Sequence, residues 1–392
     1  MFEIIPKTFF YDFVARRLFW ARFSFIVTIL SFILFLVPGP RWSIDFTGGT
    51  EVDVHFAQPT QIKEIRDVLN ELDIADDAVQ QFGDPLENRY SVRLQGASSA
   101  SPEDVEKVKS ALTTAMGPDW IEEFKVDSEV GSRAAVSYKG EPIAFDRIQK
   151  AVAGLPGVTV QSSPEDNTFY VRLPGIAEGI GSALSKGLPD RGMEVERADS
   201  VGPKVGGNLR AAGITAIVVS TLLHLVYIGF RFDFTFAPGA IACLIHDVIL
   251  TTGIMVLARQ EFGLSTVSAL LTLTGYSLND TIVTYDRIRE NMEKYRRKNF
   301  GDLINDSINQ TLSRTIMTNG ATALAMGPFL FWGGPQLRQF ALVMLIGIVA
   351  GTYSSIYVAA PLTMILREHE PTIRRWLGLA TTATEPVKGA RK

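Results

Sequence analysis

Six apolar runs constrain this chain more than any other feature. They lie at 18–37, 211–229, 234–257, 262–285, 312–332 and 339–366, and each is long enough, or nearly so, for the roughly 20-residue helix that crosses a bilayer. The first run could be mistaken for a secretory leader, but it lacks a small-x-small cleavage site and exits as Leu36-Val-Pro-Gly-Pro-Arg-Trp42. It is read as an anchor. The fifth run is the weakest span because it contains Arg314, Asn319 and Pro328, and a re-entrant segment is the alternative.

Charge separates the spans from the long stretch between the first two. Residues 41–208 hold 28 acidic and 17 basic side chains, a balance of −11, so the rest of the chain carries +7 to give the formal total of −4. An acidic block argues against nucleic-acid binding. The single cysteine, Cys243, excludes intrachain disulfides and paired-cysteine zinc sites. With a cytosolic N-terminus, residues 1–22, Arg231, the loop 286–311 and the tail after Leu366 hold 17 Lys and Arg, whereas the short opposite loops hold only Arg259 and Arg338. The positive-inside bias therefore predicts both termini in the cytosol and the acidic block outside it. The charged stretch 286–298 reads as a helix leaving the membrane, either a topological anchor or a contact for a cytosolic partner.

The block at 38–210 contains an internal repeat. Arg89-Tyr-Ser-Val-Arg-Leu94 resembles Thr168-Phe-Tyr-Val-Arg-Leu173. Ser110-Ala-Leu112 recurs as Ser182-Ala-Leu184, Pro118-Asp119 as Pro189-Asp190 and Asp127-Ser128 as Asp199-Ser200. Alternating Val52, Val54 and Phe56 read as a strand. Ile62, Ile65, Val68, Leu69 and Leu72 form one face of a helix after Pro59, and Pro102 opens a second helix. Both copies read β-α-β-β-α-β. The expectation is a polytopic α-helical membrane protein of six transmembrane helices with an extracytosolic α+β domain made of two ferredoxin-like repeats, 50–131 and 132–208, joined near Gly131-Ser132. A cytosolic segment 1–17 and a cytosolic tail 367–392 complete the domain plan.

Ionisable residues at membrane depth are functional candidates by default, because each costs from about 2.5 kcal/mol upward. Asp280 sits in Gly275-Tyr-Ser-Leu-Asn-Asp280, and Arg314 opens the next span at similar depth. Paired and unpaired in turn, they could carry protons; a static ion pair, or two groups at headgroup level, are the alternatives. His246-Asp247 lies mid-span and must face the bundle, as relay support or as a partner for neighbouring hydroxyls. Asn279 and Tyr276 are further relay candidates. His224 has only a neighbour-bonding role to recommend it. Gly347-x-x-x-Gly351 with Ser354 and Ser355 reads as close helix packing. No nucleotide-binding loop is present, so no ATP hydrolysis is expected, and the leading reading is a non-enzymatic, proton-driven subunit.

These residues resemble the SecF subunits of bacterial protein export, a branch of the SecD/SecF family in the resistance-nodulation-division superfamily. The resemblance rests on Trp42-Ser-Ile-Asp-Phe-Thr-Gly-Gly-Thr50, Val201-Gly-Pro-Lys-Val-Gly206, Gly229-Phe-Arg-Phe232 and His246-Asp-Val-Ile249. It continues through Gly275 to Asn291, Gln310-Thr-Leu-Ser-Arg-Thr315, Gly333-Gly-Pro335 and Ser354-Ser-Ile-Tyr-Val-Ala359. It implies a bacterial inner-membrane subunit that works with SecD and uses the proton gradient, with no cofactor, to promote preprotein transfer begun by SecYEG and SecA. YajC and YidC are further implied partners. It also implies that Asp280 and Arg314 are the proton-linked pair. Family members usually carry one α/β domain between the first two spans, and here it reads as doubled. Competing readings are a proton-coupled small-molecule exporter, for which this chain is half the size and would pair with itself, and a passive translocon scaffold.

Overall fold

The structure is a computed structural model. It describes residues 10–376 except 71–78, 82–86, 96–101, 118, 128–132, 140–144, 156, 164–166, 174–175 and 233–235. The elements run α1 (Arg17–Leu36), β1 (Arg41–Trp42), α2 (Ile44–Thr47), β2 (Gly49–Phe56), α3 (Ile62–Asn70), β3 (Val79–Gln81), β4 (Arg89–Gln95), α4 (Pro102–Met116), β5 (Ile121–Asp127) and β6 (Arg133–Tyr138). They continue with α5 (Phe145–Val152), β7 (Thr159–Ser162), β8 (Thr168–Arg172), α6 (Ile176–Gly187), β9 (Met193–Val201), α7 (Pro203–Arg231), α8 (Ala237–Leu257), β10 (Glu261–Phe262), α9 (Leu264–Lys294), α10 (Phe300–Trp332), α11 (Pro335–Ser354) and α12 (Ala360–Trp376). A π-helical turn, Ser355–Ala359, joins the last two helices. The chain divides into two units, 42–213 and a helical unit made of the remainder.

The 42–213 unit holds two four-stranded antiparallel sheets, ordered β3-β4-β2-β9 and β5-β6-β8-β7. In the first, Val52, Val54 and Phe56 face Ile65 and Leu69 of α3 and Ile180 and Leu184 of α6, all fully buried. Each such side chain contributes about 1.5–3 kcal/mol. In the second, Val136, Phe169 and Val171 pack with Val108 and Leu112 of α4 and with Ile148 and Val152 of α5. Trp120 stacks on Tyr138 at 4.9 Å between ring centroids.

The strand order corrects the expected boundary between repeats. The ranges 50–131 and 132–208 do not each close a sheet. The first copy's sheet takes α6 and β9 from the second copy, and the second copy's sheet takes α4 and β5 from the first. The two helix–strand endings, α4-β5 and α6-β9, read alike in sequence, so periodicity and alternation cannot say which ending fills which sheet. Connectivity favours β9 beside β2. Strand β2 follows the first apolar helix, β9 precedes the second, and Gly49 lies opposite Val201 in the pairing. The expected junction Gly131-Ser132 lies outside the described residues.

The contact at that end is glycine-dependent. Gly48 adopts φ = +70°, and a Cβ there would lie 2.6 Å from Pro203 Cα, while a Cβ on Gly206 would lie 2.7 Å from Gly48 N. The motifs around Gly48 and Gly206 are thus two backbones in contact, which only an absent side chain permits.

Among the described residues, four helices are long and apolar enough to cross a membrane: α1, α7, α8 and the continuous Pro335–Arg367. Helices α1 and α7 present much bare apolar surface, including Phe25, Ile29, Leu222 and Val226, as suits lipid or another membrane chain. Helices α9 and α10, of 31 and 33 residues, carry more polar side chains. The expected loop 286–311 is mostly helix, α9 extending to Lys294 and α10 starting at Phe300. The charged stretch is fastened inside the chain: Arg231 Nη2 donates to both carboxylate oxygens of Asp286, at 2.8 and 3.0 Å, and the buried Asn291 donates to Ser307 at 2.8 Å. Within α10 the helix is continuous past Pro328, not a re-entrant turn.

The exchanged topology predicts that excising 96–175 and joining the ends leaves a complete β2-α3-β3-β4-α6-β9 unit. Excising 132–200 instead removes strands from both sheets. Limited proteolysis should find a resistant core after the first cut and none after the second. Gly48→Ala should destabilise the 42–213 unit by at least about 1–3 kcal/mol, the cost of a side chain at a positive φ with ψ near 160°, read as a lowered thermal midpoint.

Candidate functional site

Small residues on α11 allow the site to form. A Cβ on Gly347 would overlap the Leu273 side chain of α9, and one on Gly351 would lie 3.2 Å from Ser277 Cβ. The Gly347-x-x-x-Gly351 pattern is therefore close packing within this chain. It brings the polar groups of α11, one turn further on, beside those of α9.

Asp280 is buried, 4% exposed, and its Oδ2 accepts a hydrogen bond from Asn319 Nδ2 of α10 at 2.6 Å. The same amide nitrogen donates to Thr352 Oγ1 of α11 at 2.6 Å. Arg314 is not the partner. It is exposed, and among the described residues no ion pair joins it to Asp280. Matching depth, besides the resemblance, suggested the pairing, but depth ignores rotation about the helix. Arg314 lies five residues before Asn319, about 7.5 Å along the axis and about 140° round it.

Asp247 has the densest set of contacts. It is fully buried. Its Oδ1 accepts from His246 Nδ1 at 2.9 Å, and its Oδ2 accepts from Ser354 Oγ at 2.8 Å and from Ser277 Oγ. Cys243, one turn earlier on α8, has its Sγ 3.0 Å from Ser354 Oγ, 3.5 Å from Thr281 Oγ1 and 3.9 Å from Asp247 Oδ2. Among the described residues no Lys or Arg pairs with Asp247. Three donors satisfy the carboxylate instead, as a buried ionised group requires.

The other candidates separate. His246 is 5% exposed and belongs to the Asp247 cluster. Asn279, 100° round α9 from Asp280, is exposed, and so is Tyr276. His224 Nδ1 lies 2.8 Å from the Ser220 carbonyl of its own helix, which meets its hydrogen-bonding need locally. Residue-by-residue reading missed Ser277, Cys243, Thr281 and Thr352, and took Asn319 and Ser354 for a blemish in a span and a packing residue. Their signal is small and polar residues at i and i+4 on one face of an apolar helix. Cys243 and Asp247 show it on α8, Ser277 and Thr281 on α9, and Thr315 and Asn319 on α10.

Residues 183–369 match the family described as protein export membrane protein SecD/SecF, C-terminal, and residues 33–60 match the SecD/SecF GG motif. The chain is 33% identical to the protein translocase subunit SecF of Koribacter versatilis, over 97% of this chain and 96% of the relative. It is also 33% identical to that of Rickettsia akari, over 92% and 93%. Among solved structures it is similar to SecDF of Thermus thermophilus, a translocon-associated membrane protein, with a TM-score of 0.63 and 27% identity over 94% of this chain. It spans 40% of that SecDF chain. A super-membrane-facing form of SecDF gives a TM-score of 0.56. With relatives aligned over nearly their whole length, this chain belongs to the SecF family of protein translocase subunits.

Proposed function

We propose that this chain is the proton-coupled accessory subunit of a Sec translocase in a bacterial inner membrane. It would span the membrane six times, α9 and α10 included, with both termini cytosolic. The 42–213 unit would then lie outside the cytosol as two ferredoxin-like units that have exchanged their last helix and strand. Since the chain corresponds to 40% of SecDF, a separate SecD-type chain would supply the rest of that architecture. SecYEG with SecA, and YajC and YidC, would be the further partners.

The observation that carries the proton reading is the pairing of Asp280 with an amide rather than a cation. A guanidinium partner would hold the carboxylate ionised. Asn319 donates to the ionised form, and its carbonyl can accept from the protonated form after a flip of the amide. Both protonation states can therefore be satisfied. Arg314 would belong to the second half of the cycle, reaching Asp280 only after α10 has turned or shifted. The chain's hydrogen-bonding groups do this work without a cofactor.

Asp280→Asn should abolish gradient-stimulated export from inverted membrane vesicles while leaving the chain inserted at normal abundance, because the amide keeps the shape and cannot exchange a proton. Arg314→Lys should retain part of the activity, having the charge without the planar fork. Undiminished export with Asp280→Asn would favour a passive scaffold.

A further inference from the structure

His246 carries an atom that the Asp247 cluster leaves unused. Its Nδ1 lies 2.9 Å from Asp247 Oδ1, so Nδ1–H donates to the carboxylate and the lone pair of the neutral ring is on Nε2. Nε2 is buried and, among the described residues, has no hydrogen-bond partner. A buried nitrogen without a partner calls for an explanation, such as a proton-accepting role or an ordered water. The ring lies 6.1 Å from that of Tyr353, between centroids. The Tyr353 hydroxyl is already engaged, 2.7 Å from Ser24 Oγ and 3.2 Å from the Trp20 carbonyl.

The charge in this pocket is one-sided. Among the described residues, the titratable groups that face the pair are Cys243 on α8, with its Sγ 3.9 Å from Asp247 Oδ2, Tyr353 on α11, and Asp280 on α9, whose carboxylate feels the charge of Asp247. Helix α1 presents Ser24. A buried carboxylate without a cation is costly, and a proton taken up by its hydrogen-bonded histidine cancels the charge where it stands. The position of Nε2, with the lone pair free, is where that proton can attach.

We infer that His246 and Asp247 form a second proton-binding unit, loaded at His246 Nε2 and working in series with Asp280. Loading adds one proton, delivered by water, to the Nε2 lone pair. No bond within the pair breaks, and its net charge goes from −1 to zero. Unloading returns the same proton. The inference rests on the proton-coupled reading of Asp280 and adds the group with which that residue communicates. The link is short: Ser277, three residues before Asp280 on α9, donates to Asp247. Helix α11 serves both carboxylates, Thr352 through Asn319 and Ser354 directly. Ser354 is also the last residue before the π-helical turn, where the backbone ladder is already irregular, so a change in its bond to Asp247 falls on a point able to move.

The test uses the full chain in membranes with its partner, with His55, His224 and His369 replaced by Gln and the remaining histidine ring labelled with nitrogen-15. The expected spectrum shows Nε2 gaining a proton as the pH is lowered, and Asp247→Asn alters or removes that uptake. An Nε2 that stays unprotonated at every pH at which the chain stays folded overturns the inference. In vesicles, His246→Gln retains a donor for Asp247 but cannot take up a proton. It should lower gradient-stimulated export by at least about tenfold at normal abundance, and full export would also overturn it. The two readings can fail separately. Normal export with Asp280→Asn removes the proposed function, whereas a silent His246 beside an inactive Asp280→Asn removes only the pair.

Discussion

A carboxylate enclosed by apolar helices has no water to turn to, so every bond it needs must come from the chain around it. That requirement organises the helical unit. Asp247 draws a histidine and two serines from three helices, and Asp280 draws an amide that is itself close to Thr352. Removing a donor would strand a buried charge, which is more damaging than the loss of one ordinary hydrogen bond. The glycines of α11 follow from the same need. Without the close approach at Gly347 and Gly351, Ser354 and Ser277 could not both reach Asp247.

Rigidity and freedom sit side by side here. Tyr285 is fully buried, donates to the Ala359 carbonyl at 3.1 Å and lies 2.8 Å from Thr363 Oγ1. Those bonds fasten α9 to the far end of the π-helical turn. Ser354 fastens the near end of the same turn to Asp247. The turn therefore lies between two anchors, the buried Tyr285 hydroxyl at one end and the buried Asp247 carboxylate at the other. On the cytosolic side of the proposed topology, the Arg231–Asp286 and Asn291–Ser307 contacts tie helices together without any titration between apolar walls.

The 42–213 unit follows a different logic. Its two sheets are built from near-equivalent parts, and exchange of the last helix and strand leaves each core intact. Strands β2 and β9 are the two that lead directly to apolar helices, and their pairing at Gly49 and Val201 closes the block where the chain enters and leaves it. The close backbone contact at Gly48, Pro203 and Gly206 reinforces that closure. Residues 96–175 thereby become an insertion within one sheet unit rather than the second half of a tandem pair.

The sequence alone determined the apolar runs, the helices and strands of the acidic block, and the inward facing of Asp247 and His246. Each follows from one-dimensional physics: period, propensity and the cost of charge in hydrocarbon. The tertiary structure decided what those residues touch. It gave Asp280 an amide in place of Arg314, because the azimuth of a side chain is set by how helices pack and not by its depth. It separated Asn279 from Asp280 across one 100° step, and it gathered Cys243, Ser277 and Ser354 around Asp247 from three helices. It also decided which of two similar endings completes each sheet. Equivalent parts compete equally in sequence, and only the attachment of the strands to the flanking helices distinguishes them.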